Sequence, residues 1–293
     1  MIKNNFKLIK NIKQIFQKQL DEFAETLKEH VTDENNQWTI KGFIDIFQNI
    51  YSISADTKIV SKVLEIHLFP RFLEFAEKNG YELILAEHQN WYPDISFVLK
   101  TDRNIKFAVD LKTTYLLNDY PDHCNGFTLG SHGAYFIERQ KSKNIQFPYS
   151  EYTGHYCLGI IYNRTELDKL EETKVYKLTE VNKIPSVINN FTFFATEKWK
   201  IASDKSGSGN TANIGSIQKI SDILAGNGVF KNLGEEWFDD YWMNYGKIYT
   251  KDKDGKTKKI TNLPDFLKYR GKDEGLAYPR AKKIKQKGGE NEK

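Results

Sequence analysis

Two acidic residues and a lysine set into a pair of strand-like runs limit this chain more than any other feature. Pro93-Asp94 opens the run Ile95–Lys100, the polar turn Thr101-Asp102-Arg103-Asn104 follows, and Ile105–Tyr115 carries Asp110-Leu111-Lys112. Two such runs around a short polar turn predict an antiparallel hairpin. Side chains on a strand alternate faces. Phe107, Val109 and Leu111 therefore point towards a core, while Ala108, Asp110 and Lys112 share the other face. The Cα atoms of Asp110 and Lys112 then lie roughly 7 Å apart. The hairpin can bring the carboxylate of Asp94 beside that of Asp110.

Converging carboxylates next to an ammonium suit Mg2+, a hard ion that binds through one or two carboxylates and keeps waters and phosphate oxygens in its shell. Such an ion polarises a phosphoryl oxygen and acidifies a bound water. Lys112 is left with two roles, orienting the attacking water or offsetting charge on the phosphate; a general base would need a depressed pKa. Each piece alone is ordinary, since Pro-Asp is a common turn and Asp-x-Lys in a strand is usually a solvated face or an ion pair. Together they have the form of the PD-(D/E)xK nuclease signature. Glu65 is a third acidic candidate, beside Leu64 and Ile66 in an apolar stretch. Facing inward it needs a partner or a metal; the other reading has it in solvent beside Lys62.

The rest of the chain frames this block. Its 293 residues suit one large domain or two joined ones. A net charge of +4 permits a nucleic-acid partner without demanding one. Cys124 and Cys157 stand alone, so a disulfide framework or zinc site is not expected and a reducing cytoplasm is. No apolar run approaches the roughly 18 residues of a membrane span, and no signal peptide is read at the N-terminus. Apolar steps of three and four over residues 2–29 predict an amphipathic helix, either packed or partner-binding. Residues 38–53 read as a hairpin, and residues 56–79 as a helix with the stripe Ile59, Val63, Leu64, Leu68, Phe72, Leu73 and Ala76, kinked or split at Pro70. Further strands are expected at Tyr81–Glu87, His155–Tyr162 and 191–202, and a helix at 236–246. The tail from Gly271 is Lys-rich with little to bury and reads as mostly disordered.

Residues 203–216 lack large side chains. Gly207, Gly209 and Gly215 allow close approach, while Asn210, Thr211 and Asn213 offer groups that can bond adenine or touch a thymine methyl. A flexible linker is the alternative reading. His88-Gln89-Asn90-Trp91-Tyr92, before the Asp94 corner, could reach a groove or form an ordinary turn. Lys58, Lys112 and Lys143 are candidate phosphate contacts.

Six segments in one order give the chain a resemblance. They are Ser54–Lys58, Gln89–Asp94, Val109–Tyr115, Phe127–Gly130, Lys143–Ile145 and Gly207–Ser216. Over roughly residues 38–245 the chain resembles the type II restriction endonucleases of the PD-(D/E)xK superfamily. The resemblance implies an α/β (α+β) fold with a mixed central sheet flanked by helices. It implies a homodimer holding double-stranded DNA in a cleft, Mg2+ as cofactor, a cytoplasmic location and a cognate DNA methyltransferase in the same host. Asp94, Asp110 and Lys112 become the catalytic set, with Glu65 as an auxiliary acidic residue and metal ligand beside Asp94 and Asp110. Gly207, Ser208, Gly209, Asn210, Thr211 and Asn213 would read bases in the major groove. Gln89 and Asn90 would lie against the minor groove, and Thr57, Lys58, Thr113, Thr114 and Lys143 near the DNA backbone. The implied target is the palindrome GATATC, cut to blunt ends. A non-cutting dimeric DNA-binding module and a repair or recombination nuclease of the same superfamily are the competing readings. The implied layout is an N-terminal helical extension at 1–30 and an endonuclease domain at 31–250, followed by a basic, largely disordered tail at 251–293. Within the domain lie a dimerisation hairpin at 38–53, a catalytic core at 54–145 and a recognition loop at 203–216. Trp91 stands where the family pattern has His, and Ala212 where it has Thr.

Overall fold

A computed structural model describes residues 2–88, 90–166, 170, 173–207, 212–251 and 254–278. The first half of the chain forms α1 (Ile2–Val31), β1 (Gly42–Ile44), β2 (Asn49–Ser52), α2 (Thr57–Lys78), β3 (Tyr81–Leu85), β4 (Ile95–Leu99), β5 (Lys106–Tyr115), β6 (Thr128–Ser131) and α3 (Ala134–Ile137). The second half forms β7 (Gly154–Arg164), β8 (Val175–Lys177), β9 (Ile188–Glu197), β10 (Ala202–Ser206), β11 (Asn213–Ser216), α4 (Ile220–Leu224), α5 (Glu235–Asn244), β12 (Tyr249–Lys251), β13 (Thr257–Lys259) and α6 (Leu263–Tyr269).

The central sheet runs β3-β4-β5-β7-β9. Its β3, β4 and β5 pair antiparallel, β5 and β7 pair parallel, and β7 and β9 pair antiparallel. The mixed sheet expected from the sequence is therefore present. Both faces are covered, which is why β7 reads as a continuous apolar run. Lys112 lies in register with Gly159, where an added Cβ would stand 2.1 Å from the Phe194 ring. Only glycine lets β9 pack that closely.

One core lies between the sheet and α1 and α2. Phe16, Leu20, Leu27 and Val31 of α1 are fully buried, and Phe16 stacks on Phe107 with ring centroids 3.9 Å apart. Each such burial stabilises by about 1.5–3 kcal/mol. Lys13 anchors the same helix through Glu197 at 2.6 Å and Glu235 at 2.7 Å. The helix read as an N-terminal extension is thus part of the core. Helix α2 starts at Asp56, whose side chain accepts from the backbone amides of Lys58 and Ile59. It continues through Pro70, which sits on an exposed position. Its buried face is Val60, Val63, Leu64, Leu68, Phe72, Phe75 and Ala76. Ile59 and Leu73, placed in the stripe from sequence, are exposed instead.

The second core covers the other face and draws on α3, α5, α6, β6, β10 and β11. The run read as one strand over 191–202 is broken by a 3-10 turn at Lys198–Lys200. Disorder expected from residue 251 is also corrected. Ile260, Leu263, Phe266 and Leu267 are buried, and Asn262 caps α6 by accepting from Asp265 N at 2.9 Å. These apolar residues are spaced for a helix, and the surrounding lysines hid the pattern. Residues 279–293 lie outside the described residues.

A separate three-stranded sheet, β1-β2-β8, contains the hairpin expected at 38–53. It exposes Phe43, Ile44 and Tyr51, and its turn exposes Ile46 at 90% and Phe47 at 76%. Among the described residues, no helix is long and apolar enough to cross a membrane.

Candidate active site

The β4–β5 register pairs Ile95 with Val109, which leaves Asp94 opposite Asp110 at the end of the ladder. The two carboxylates are fixed by each other's backbones. Asp94 N donates to Asp110 Oδ1 at 3.2 Å, and Leu111 N donates to Asp94 Oδ2 at 2.9 Å. Lys112 follows two residues along β5 on the same face. Its Nζ lies 3.0 Å from Asp110 Oδ2 and 3.6 Å from Asp94 Oδ2. The Asp94 side chain is 34% exposed and that of Asp110 is 9% exposed, so the site has one open carboxylate and one recessed.

Burial pushes the Asp94 carboxyl up to about 6; Lys112 opposes this, and the negative charge of Asp110 adds to it. Burial works against the Lys112 ammonium, but Asp110 and then Asp94 outweigh it and hold its pKa above the usual lysine range. Cys157, in register with Asp110, has its thiol pushed up to about 12 by burial.

Both carboxylates keep oxygen lone pairs beyond these bonds, and both converge on one ammonium, where the local field favours a cation. That donor set fits Mg2+, which takes one or two carboxylates and completes its shell with water and phosphate oxygens. Among the described residues, no three His, Cys, Asp or Glu side chains converge to hold an ion. Glu65 lies on α2 with its carboxylate 2.8 Å from Lys62 Nζ, and its charge contributes to raising Asp94. The solvent-side pairing with Lys62 coexists with electrostatic reach into the site.

The other expected residues are dispersed. Thr57 and Lys58 are exposed at the start of α2, Asn90 is exposed before the Asp94 corner, and Lys143 is exposed. Thr113 shares the Leu111 side of β5 and is half-buried. Thr114 lies on the Lys112 side but is buried. Gly207 and Asn213 close the base of the 203–216 loop through Gly207 N to Asn213 O at 2.8 Å. An added Cβ at Gly215 would stand 2.7 Å from Lys205 O, so this hairpin requires glycine there. Gln89, Ser208, Gly209, Asn210 and Thr211 lie outside the described residues.

Sequence reasoning missed a buried group behind the carboxylates. Tyr92 Oη bonds His155 Nδ1 at 2.9 Å, Tyr149 stacks on His155 at 3.7 Å, and the Lys198 ammonium lies over the Tyr92 ring. Burial keeps His155 neutral, its pKa well below the ordinary histidine value.

A mixed sheet presenting two carboxylates and a lysine from adjacent strands defines a nuclease core of the PD-(D/E)xK class. The family model for the restriction endonuclease EcoRV matches residues 34–271. The chain is also 35% identical over 241 residues to the type II restriction enzyme EcoRV of Escherichia coli, covering 82% of this chain and 95% of that protein. The chain belongs to the EcoRV family of type II restriction endonucleases, which are site-specific deoxyribonucleases.

Proposed function

We propose that this protein is a Mg2+-dependent homodimer that cuts both strands of the palindrome GATATC to blunt ends. The observation that carries the chemistry is the convergence of Asp94 and Asp110 on Lys112 Nζ, at 3.6 and 3.0 Å. When bound, Mg2+ would polarise the scissile phosphate and acidify a water. Asp94 and Asp110 would hold it, with Glu65 as an auxiliary acidic group. Lys112, with its Nζ beside both carboxylates, would orient the attacking water or offset the charge that develops as water adds to phosphorus and a P–O ester bond breaks.

The target rests on the run Gly207–Thr211 with Asn213, which the resemblance assigns to base reading. Two-fold symmetry suits a palindrome, because each subunit reads one half. The exposed Phe43, Ile44, Ile46, Phe47 and Tyr51 supply an apolar surface of the kind that subunits bury against each other. A host carrying such an enzyme needs its own sites protected, which is why a cognate methyltransferase accompanies this reading. Digestion of a sequenced plasmid in Mg2+, with Ca2+ as control and with end mapping, tests it. Discrete fragments ending within GATATC are expected; binding in both ions without cutting would overturn it.

A further inference from the structure

We propose that Lys198 is a positioning residue that ties the loop expected to read bases to the catalytic carboxylates, acting through the ring of Tyr92. The inference deepens the nuclease reading and rests on it. Lys198 occupies the turn between β9 and β10 and is only 3% exposed. Its Nζ has no hydrogen-bond partner among the described residues. The ammonium instead lies 4.7 Å from the Tyr92 ring centroid, 5.0 Å from Tyr149 and 5.5 Å from Phe136.

An unpaired buried ammonium opposes folding, because it loses its water and gains no hydrogen bond in return. Aromatic faces return part of that loss. Burial drags the Lys198 pKa down to about 8, while the charges of Asp110 and Asp239 pull it back up, so the group remains largely protonated at neutral pH. A methionine of similar length would fill the same aromatic box without any charge to desolvate. Packing alone therefore does not call for lysine here.

Tyr92 is the group that this charge grips. It stands two residues before Asp94, and its backbone is pinned by Tyr92 N to Asn144 O at 3.1 Å and Gln146 N to Tyr92 O at 2.9 Å. Strand β10 starts four residues after Lys198 and runs into Gly207. The other side of the same loop returns as β11, which pairs with β6. Gly130 of β6 faces Tyr92, since a Cβ there would lie 3.9 Å from its ring. Each arm of the loop is thus linked to the tyrosine through one neighbour, the first through Lys198 and the second through Gly130 of β6.

The test uses full-length protein with Lys198→Met, Lys198→Arg, Tyr92→Leu, and Lys198→Met combined with Tyr92→Leu. Melting temperature, DNA affinity in Ca2+ and single-turnover cleavage in Mg2+ are measured, the last on the palindrome and on a duplex with one base pair changed. Lys198→Met is expected to melt no lower than wild type and to keep its DNA affinity. It should cleave the palindrome about tenfold or more slowly and discriminate less between the two duplexes. Lys198→Arg should recover most of the rate, and the double variant should be no slower than Tyr92→Leu alone. An unchanged rate in Lys198→Met, a lowered melting temperature that accounts for the loss, or multiplying losses in the double variant would each overturn the proposal. If wild type cuts no DNA, the nuclease reading falls and takes this inference with it. If wild type cuts and Lys198→Met cuts equally well, this inference falls alone.

Discussion

On the face of the central sheet covered by α1 and α2, β5 contributes Phe107, Val109 and Leu111 to an apolar core in which Phe16 stacks on Phe107. On the opposite face the alternate residues Ala108, Asp110 and Lys112 lie near Tyr92, His155 and Lys198. A single strand thus feeds two kinds of interior. The first is held mainly by apolar burial, with Lys13 pinning α1 at its edge. The second keeps ionisable groups out of water, which costs stability and is retained where chemistry needs fixed charge. The two-residue alternation of β5 consequently separates an apolar interior from one that holds ionisable groups.

Four substitutions would break or sharpen that contrast. Asp110→Ala should lower cleavage in Mg2+ by more than the roughly 10–100-fold lost on removing an outer partner of a metal ligand, while the variant still melts cooperatively. Substantial Mg2+-dependent cutting by it would remove Asp110 from the catalytic set. Phe107→Ala, one residue-parity away, should cost about 3–5 kcal/mol of stability in urea unfolding and leave the cleavage rate of the folded protein close to wild type. Loss of rate without loss of stability would erase the division between faces. Asn210→Ala should cost roughly 1–3 kcal/mol in discrimination between the palindrome and a mismatched duplex, with little effect on melting. Equal discrimination would point to readout elsewhere.

The smallest effect concerns pH. His155 is kept neutral when folded and has its ordinary pKa when unfolded. Below about 6.5 the unfolded chain therefore binds a proton that the folded chain refuses, and stability falls as pH falls, by at most about 1.4 kcal/mol per unit from this group. Urea unfolding at pH 7 and pH 5 should show a shallower acid loss in His155→Gln than in wild type. Equal slopes would mean that His155 accepts its proton inside the fold.

The sequence showed the carboxylate corner clearly because its signal is local. The β4–β5 hairpin and the alternation of Phe107 to Lys112 both follow from neighbouring residues, and the structure brings Asp94, Asp110 and Lys112 together. Contacts between distant segments were less legible. Lys198 sat inside what read as one strand, and nothing in Glu197-Lys198-Trp199-Lys200 marks which lysine turns inward. The periodicity of α1 announced a helix but not what would cover it. In α2, Ile59 and Leu73 were as apolar as Val60 and Phe72, so hydropathy could not fix which arc faced the sheet. The lysines around Ile260 and Phe266 masked a buried helix for the same reason.

The docking of α1 has a consequence for how the molecule is made. Gln17 donates to the carbonyl of Ala195, a partner 178 residues downstream. While the chain is being synthesised, α1 therefore has no β9 to rest against until about two thirds of the protein has emerged. Contacts of such long range slow folding and leave apolar surface open to association in the meantime. A ribosome stalled before Ile188 would release a sticky fragment, and the carboxylate corner gains its full scaffold only after β9 has been added.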